Sequence, residues 1–171
     1  MTTRDSTRQV MAGHVPIGGG APVSVQSMTD TDTRDAEATI AQINRLQQAG
    51  CEIVRIAVPD PEAADALGLI RKAVRIPIVA DIHFDHKLAL ASIEAGVDKL
   101  RINPGNIGSR ARVRELATAA RDRGIPIRIG VNMGSLPREL VEKHGRTARA
   151  MTEAALGHIG LLEREGFHDI V

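Results

Sequence analysis

Short β-branched runs alternate with Ala- and Leu-rich stretches along almost the whole 171-residue chain, and this alternation limits the fold more than any other feature. The runs have the composition of buried strands, the longer stretches have helical periodicity, and glycine follows most of them, as it does at helix ends. Strands and helices that alternate with short connections form parallel βα units with right-handed crossovers. The predicted strands are 23–29, 52–58, 76–83, 98–103 and 125–131, with a sixth that begins at 167–171. The predicted helices are 35–49, 61–74, 86–95, 110–123 and 147–165, and the helix-ending glycines are Gly50, Gly96, Gly124 and Gly166.

The two faces of the predicted strands distinguish an open sheet from a barrel. In the fifth strand Ile127 and Ile129 share one face, while Arg128, Gly130 and Asn132 share the other. An open α/β sheet carries helices on both faces and is apolar on both, whereas a barrel has helices outside and a polar site at the carboxyl ends of its strands. We therefore expect an α/β fold, a partial TIM-type barrel of about five βα units plus the start of a sixth strand.

The chain is short for a closed barrel. The units recur about every 29 residues, so that eight of them need roughly 230 residues. We therefore expect residues 1–171 to be the N-terminal part of a barrel domain whose remaining units are absent from this chain. A partial barrel has two unpaired sheet edges, which favour self-association, and we expect a homo-oligomer.

Composition and charge disfavour several classes of function. Lys and Arg total 22 and Asp and Glu total 21, so the chain lacks the basic excess of a nucleic-acid-coating protein. Phe84 and Phe167 are its only aromatic residues, which leaves no platform for stacked bases. No apolar run approaches the roughly 18 residues of a membrane span, and the polar N-terminus has no secretory h-region. We expect a cytoplasmic protein without nucleic-acid or membrane partners.

Polar side chains gather on the predicted lumen face near the carboxyl ends of the strands. Three arginines there come from three different strands, and planar guanidinium groups bind phosphate or carboxylate oxygens in pairs. Their charge exceeds that of the accompanying acid, which favours a polyanion such as a diphosphate. The alternative is internal salt bridging with Asp81 and Glu52, although buried ion pairs contribute little stability. The predicted binding residues are Arg55, Asp81, His83, Arg101, Asn103, Arg128 and Asn132.

Three shorter motifs leave their function open. Asp81 and His83 share a strand face, which suits a metal, acid–base catalysis, hydrogen bonding to a ligand, or a rim histidine without a further role. The segment 103–108 follows a strand and either presents backbone N–H groups to a phosphate or forms an ordinary turn. Gly18–Gly20 precedes the first predicted strand, matches no nucleotide-binding fingerprint, and is expected in a hairpin or loop near the barrel bottom.

The cysteine and the remaining histidines carry no predicted chemistry. Cys51 follows a helix-ending glycine and is expected to be a small buried apolar residue. A single cysteine excludes an internal disulfide and a metal site of several thiolates. We expect His158 on a solvated helix face. The other histidines outside the lumen are expected to be surface or packing residues: His14, His86, His144 and His168.

Five segments of the chain carry a family resemblance when they are taken together and in order. The segments are Val25-Gln-Ser-Met-Thr29, Ile53-Val-Arg-Ile-Ala-Val-Pro59, Pro77-Ile-Val-Ala-Asp-Ile-His-Phe84, Lys99-Leu-Arg-Ile-Asn-Pro-Gly-Asn-Ile-Gly108 and Arg128-Ile-Gly-Val-Asn-Met-Gly-Ser-Leu136. They resemble the 4-hydroxy-3-methylbut-2-enyl diphosphate synthase family, which belongs to the methylerythritol phosphate route to isoprenoids. The resemblance extends from about Arg8 to Val171, and five motifs in register make it specific.

The resemblance implies a TIM-type barrel followed by a domain that holds a [4Fe–4S] cluster. It implies reductive opening of 2-C-methyl-D-erythritol 2,4-cyclodiphosphate with two electrons from a ferredoxin or a flavodoxin. Arg55, Arg101 and Arg128 would bind the cyclic diphosphate. Asp81, His83 and Asn132 would contact its phosphates or hydroxyls.

The chain departs from this family in its cysteines. An iron–sulfur cluster is held mainly by Cys thiolates, and Cys51 is the only one here. We therefore expect the cluster ligands to be absent from this chain and the 171 residues alone to be inactive. Two other functions stay open: a stand-alone, non-catalytic module that binds an anion, and a pterin-using synthase of similar architecture, supported only by fold analogy.

Overall fold

The computed structural model describes residues 3–83, 85–103, 107 and 109–171, and its main body is a five-stranded parallel sheet with helices on one face. The strand order is β3-β4-β5-β6-β7, which confirms the predicted α/β fold with an open, partial barrel. The strands are β1 (Val10–Ala12), β2 (Val15–Ile17), β3 (Gln26–Met28), β4 (Ile53–Ala57), β5 (Ile78–Ile82), β6 (Lys99–Ile102) and β7 (Ile127–Ile129). The helices are α1 (Ala36–Gln48), α2 (Pro61–Ala73), α3 (His86–Glu94), α4 (Arg110–Asp122), α5 (Arg138–His144) and α6 (Ala148–Arg164), with 3-10 turns at Arg4–Ser6 and Met133–Ser135.

Local sequence marks the ends of most of the helices that cross between strands. At the starts of α1, α2 and α6, the side chains of Asp35, Asp60 and Thr147 accept hydrogen bonds from backbone N–H groups three residues on. A cap of this kind contributes about 1 kcal/mol. The four glycines predicted to end helices all have positive φ, between 65° and 92°, a conformation that glycine adopts without steric cost: Gly50, Gly96, Gly124 and Gly166.

The face predicted to be apolar in each strand forms the core beneath the helices. Leu67 of α2, Leu116 of α4 and Leu162 of α6 are completely buried in the same cluster as the outward-facing sheet residues. Those sheet residues are Val54, Ile56, Ile78, Ala80, Ile82, Leu100, Ile102 and Ile127. The opposite face of the sheet, which the helices do not cover, is therefore the lumen side of the partial barrel.

An antiparallel hairpin, β1–β2, closes the N-terminal end of the lumen. Ala12 and Val15 pack against Ile53 of β4 and Val79 of β5 in a small separate cluster. The position predicted for Gly18–Gly20, near the barrel bottom, is confirmed, but the hairpin reverses at residues 13–14 and the three glycines follow β2.

The edge strands differ from the prediction in length. Of the predicted 23–29, Gln26–Met28 form the strand that pairs with β4, and backbone hydrogen bonds extend the contact to Val25 and Thr29. Val23 and Val25 are 77% and 56% exposed. A strand at a sheet edge has a neighbour on one side only, so fewer of its residues are held in the ladder. The predicted start of a sixth strand is confirmed as a parallel bridge between Ile170 and Ile127 of β7.

Two features of the segment after β7 were not predicted. The turn at Met133–Ser135 and α5 lie between β7 and α6, where no element was expected.

The expectation for His158 was wrong, because it lies on the buried face of α6 with Ala150, Ala154 and Leu162. Charged neighbours concealed this stripe of residues four apart. Burial disfavours the imidazolium form and lowers the pKa of His158.

Across the described residues, none of the helices has the length and apolar character needed to span a bilayer.

Two leucines on α2 provide a test of this core. Leu67 is completely buried and Leu69 is 62% exposed. Replacing Leu67 with Ala leaves a cavity, and we expect the free energy of unfolding to fall by about 2–5 kcal/mol. Leu69→Ala, with the same change in helix propensity, is the control, and we expect it to cost less than about 0.5 kcal/mol. Urea unfolding followed by circular dichroism measures both, and equal losses would contradict this placement of α2.

Candidate functional site

A single carboxylate, that of Asp81, holds two arginines on the lumen side of the sheet. Asp81 is only 3% exposed, and its Oδ1 accepts a hydrogen bond of 3.0 Å from Nη1 of Arg101. Its Oδ2 lies 3.5 Å from Nε of Arg55. The strand register explains the arrangement, because Asp81 lies opposite Arg101 on β6 and opposite Ala57, two residues after Arg55, on β4. Three adjacent strands thus bring their charged side chains to one point.

Arg55 and Arg101 have different surroundings. Arg101 is nearly buried, whereas the Arg55 side chain is 26% exposed. Nε and Nη2 of Arg55 lie 3.3 and 3.1 Å from Sδ of Met28, a weak acceptor on the neighbouring strand β3. Because a thioether satisfies a guanidinium poorly, Arg55 keeps donor capacity for a stronger acceptor.

Arg128 adds a third positive charge without a carboxylate of its own. It lies opposite Arg101 in the β6–β7 register and is half-buried. Within the described ranges it forms no ion pair with Asp or Glu. Burial and the charges of Arg55 and Arg101 lower its pKa, more than the attraction of Asp81 raises it. The cluster therefore has a surplus of positive charge that an anion would neutralise.

Sequence analysis left open that Asp81 and Glu52 together neutralise the lumen arginines. For Glu52 this alternative is wrong. Glu52 is exposed, and its Oε2 accepts a hydrogen bond of 2.7 Å from the backbone N–H of Val25. It thus ties the edge of the sheet together and does not neutralise the lumen arginines. Among the described acids, Asp81 is the one that balances part of their charge.

Gly130 gives Arg101 the space that it occupies. A Cβ atom at Gly130 would overlap Nε, Cζ and Nη2 of Arg101. The backbone N–H of Gly130 is held by the carbonyl of Ile102, 2.8 Å away, so the main chain cannot easily withdraw. The absence of a side chain at this position therefore lets the guanidinium of Arg101 lie against the backbone just beyond β7.

The two predicted asparagines meet through the 3-10 turn after β7. Asn103 is 3% exposed and donates from Nδ2 to Oγ of Ser135, 2.8 Å away. Ser135 in turn donates to the backbone carbonyl of Asn132, whose own side chain is exposed. Oδ1 of Asn103 is buried without a hydrogen-bond partner, which leaves an acceptor at the carboxyl end of β6 for a donor from outside the described residues.

His83 is exposed just beyond the carboxyl end of β5. It lines a cavity of about 260 Å³ with Val58, Pro59, Asp85 and Leu88. The strand ends at Ile82, so the two-residue alternation no longer fixes the direction of the His83 side chain.

Four residues of the predicted phosphate loop 103–108, namely 104–106 and 108, lie outside the described residues, as does Phe84.

Sequence analysis missed one charged residue of this face. Lys99 begins β6 two residues before Arg101 and is only 2% exposed. Burial, followed by the charges of Arg128 and Arg55, lowers the pKa of Lys99 to about 8. Its place on the lumen face was visible from the alternation of β6. Its position at the N-terminal end of the strand, away from the expected site, is why it was not counted.

The described residues contain no group of three or more His, Cys, Asp or Glu side chains that could hold a metal ion. Cys51 is 7% exposed, as predicted for a small buried apolar residue. Its Sγ donates to the carbonyl oxygen of Ile53 at 3.1 Å, at the amino end of β4. The thiol is therefore at the end of the sheet opposite the arginine cluster.

Comparison with known sequences gives one consistent result. Residues 7–171 match the model of the GcpE TIM-barrel domain family. The chain is 62% identical over 171 residues to a protein of Thermodesulfovibrio yellowstonii named 4-hydroxy-3-methylbut-2-en-1-yl diphosphate synthase (flavodoxin), covering 99% of this chain and 49% of that protein. Relatives with the same name from Geobacter sulfurreducens and Bacillus cereus are 61% and 58% identical, covering 96% and 100% of this chain and 47% and 46% of theirs. The chain thus spans about half the length of these curated relatives.

Comparison with solved structures supports the barrel architecture. The 7,8-dihydropteroate synthase of Vibrio fischeri ES114 superposes with a TM-score of 0.64 at 12% identity, over 96% of this chain and 65% of that one. The HPPK-DHPS protein of Plasmodium falciparum gives 0.66 at 11% identity, over 95% of this chain and 34% of that one. At such low identity the likeness concerns the fold alone.

A methyl group at Gly130 tests the packing of Arg101. We expect Gly130→Ala to push the guanidinium away from Asp81 and to lower the free energy of unfolding by about 1–3 kcal/mol, because a buried carboxylate then loses its best partner. Gly134→Ala is the control, since nothing lies within 4 Å of a Cβ atom there.

A double-mutant cycle separates this effect from a general loss of packing. In an Arg101→Ala background, Gly130→Ala should cost much less than it does in the wild-type chain, because the clashing group is gone. Equal costs in the two backgrounds, measured by urea unfolding, would show that Gly130 does not act through Arg101.

Proposed function

The chain belongs to the GcpE TIM-barrel domain family, and from this premise we propose that it is the substrate-binding barrel portion of a 4-hydroxy-3-methylbut-2-en-1-yl diphosphate synthase. The three relatives compared above carry that name and match this chain over 96–100% of its length. The proposed reaction of the whole protein is an oxidoreductase step in isoprenoid biosynthesis. In it, two electrons and two protons open the ring of 2-C-methyl-D-erythritol 2,4-cyclodiphosphate with loss of one water molecule.

The arginine cluster is the observation that carries this proposal. Arg55, Arg101 and Arg128 converge on the lumen side with one carboxylate among them. A diphosphate supplies the missing negative charge, and its paired oxygens suit the forked donors of guanidinium groups. The carboxyl ends of the parallel strands are also where barrel enzymes bind their substrates. We therefore assign the diphosphate to this cluster.

Each residue has a distinct part in the proposed binding. Asp81 positions Arg55 and Arg101 and keeps their guanidinium planes oriented before the ligand arrives. Arg128, which has no carboxylate partner among the described residues, is the cation most available to a phosphate. The unsatisfied Oδ1 of Asn103 is an acceptor for a ligand hydroxyl.

Two further residues are assigned to the rim of the same site. We place His83 and Asn132, both exposed at the carboxyl ends of their strands, beside the phosphates or hydroxyls of the ligand. The resemblance of their motifs to the family supports this assignment.

The residues of this chain do not fit the [4Fe–4S] cluster that the family implies. A cluster needs several thiolates, whereas Cys51 is the single cysteine and its thiol is buried at the amino end of β4. We place the cluster ligands in the part of the whole protein that this chain does not cover. The remaining barrel units are placed there as well, so that residues 1–171 are the N-terminal part of the barrel domain.

The printed name of the relatives supports flavodoxin as the electron donor of the whole protein. We further propose a homo-oligomer, because β3 is a sheet edge with exposed valines before it. The cytoplasmic location expected from the sequence is retained as a proposal.

Arg128 gives a test in which binding and stability respond differently. We expect Arg128→Met to weaken binding of the cyclodiphosphate by about tenfold to a hundredfold, as for the loss of a charge-assisted contact. The free energy of unfolding should not fall, because the variant keeps the apolar stem and removes a charge that Arg55 and Arg101 repel. Isothermal titration calorimetry and urea unfolding measure the two quantities.

The control for this test is Arg112→Met, which removes an exposed arginine from α4. It should leave the affinity unchanged. If Arg128→Met binds the cyclodiphosphate as tightly as the wild-type chain, the cluster is not the diphosphate site.

We also expect the purified 171-residue chain to show no turnover with a chemical reductant. Formation of the open-chain diphosphate, followed by ³¹P NMR, would overturn the placement of the redox centre outside this chain.

A further inference from the structure

Lys99 occupies the floor of the lumen, one inward-facing position below Arg101 on β6. Its neighbour in the β5 register is Val79, which packs against the hairpin residues Ala12 and Val15. Lys99 itself is only 2% exposed. A cation in such a place costs stability unless an acceptor or an opposite charge compensates it.

No such compensation is found within the described ranges. Lys99 forms no hydrogen bond or ion pair with any described residue. The adjacent carboxylate, Asp98, is engaged elsewhere, because its Oδ2 accepts from the backbone N–H of Ile78 at 2.8 Å and lies 3.9 Å from Nε of Arg71. No acceptor or carboxylate among the described residues therefore compensates the ammonium group of this almost fully buried residue in the unliganded chain.

The charged groups that face Lys99 come from every strand around it. Arg55 lies on β4, Asp81 on β5, Arg101 on β6 itself and Arg128 on β7, whereas the hairpin below contributes apolar side chains. Arg55 and Arg128 repel the ammonium group directly. Asp81 is shared between two guanidinium groups, so its charge is already balanced. The same anion that neutralises the arginines would thus also relieve Lys99.

We propose that Lys99 is a fourth cationic binding residue of this site, which directs its ammonium group from the floor of the lumen toward the phosphate oxygens of the ligand and takes up a proton when the ligand binds at alkaline pH. The inference rests on the proposed function, since it needs a diphosphate in the cluster. Two observations support the proposal: Lys99 is buried on the lumen face, and the cations Arg55 and Arg128 repel it.

The protonation follows from the charge balance. Before binding, the lowered pKa of about 8 leaves Lys99 largely charged at pH 7 and largely neutral above pH 9. A bound diphosphate places negative charge beside the amine and raises that pKa again. Binding above pH 8 is therefore coupled to proton uptake, and affinity falls as the pH rises through this range.

The test compares the wild-type chain with Lys99→Arg and Lys99→Met, using inorganic pyrophosphate as the probe. Calorimetric titrations at pH 7 and pH 9.5 give the dissociation constants. Titrations in buffers of different ionisation enthalpy give the number of protons taken up. Pyrophosphate itself titrates in this range, but the ratio of wild-type to Lys99→Arg constants cancels that contribution. Lys72→Met, at an exposed lysine of α2, is the matched control.

We expect the dissociation constant of the wild-type chain, relative to that of Lys99→Arg, to rise up to about tenfold between pH 7 and pH 9.5, because the guanidinium stays charged throughout. Lys99→Met should bind about tenfold more weakly at pH 7 and lose the extra proton uptake, and Lys72→Met should behave as the wild-type chain does. Circular dichroism verifies that each variant is folded.

The outcomes separate the two proposals. If Arg128→Met weakens pyrophosphate binding while both Lys99 variants match the wild-type chain at each pH, the arginine site stands and the proposal for Lys99 is overturned. If the folded wild-type chain binds no pyrophosphate, the proposed function fails first, and the inference about Lys99 fails with it.

Discussion

The carboxylate of Asp81 is the interaction on which the lumen side of this sheet depends. It is the only acid that the described residues bring among three arginines and a lysine, and it contacts the two arginines on the strands beside it. Without it, like charges would face one another across a poorly hydrated surface, where their repulsion is strong. With it, two guanidinium groups are oriented and a positive surplus remains. The chain thus keeps a stable sheet and an unsatisfied site on the same strands.

That surplus shows how stability and binding oppose each other in this protein. The pKa values of both Arg128 and Lys99 are lowered by burial and by neighbouring cations, so the folded chain holds these charges at a cost. Sites that are costly in the free protein are often retained because a ligand compensates them. The outer face is the opposite case, since its aliphatic residues and capped helices all favour the fold. The helices and the apolar layer therefore stabilise a sheet whose other side is arranged for an anion.

Local signals account for the elements that sequence analysis placed correctly. The N-cap of Asp35, the positive φ of Gly50 and the alternation from Leu100 to Ile102 depend on residues close together in the chain. The wrong predictions concern features that depend on contacts between distant parts of the chain. β3 is short because it lies at an edge of the sheet. His158 is buried because α6 packs on α4 and β7, which its charged neighbours in the sequence do not reveal.

The sequence by itself determined the parallel βα order, the apolar outer face, the arginine-rich inner face and, through its motifs, the family. Each of these follows from residue type and spacing along one strand or one helix. Only the tertiary structure decided how the charges are distributed. It placed Asp81 between Arg101 and Arg55, turned Glu52 away to the edge of the sheet, left space for Arg101 at Gly130, and buried Lys99 beneath the arginines. Strand register and burial set those pairings, and neither is encoded in the spacing of residues within a single strand.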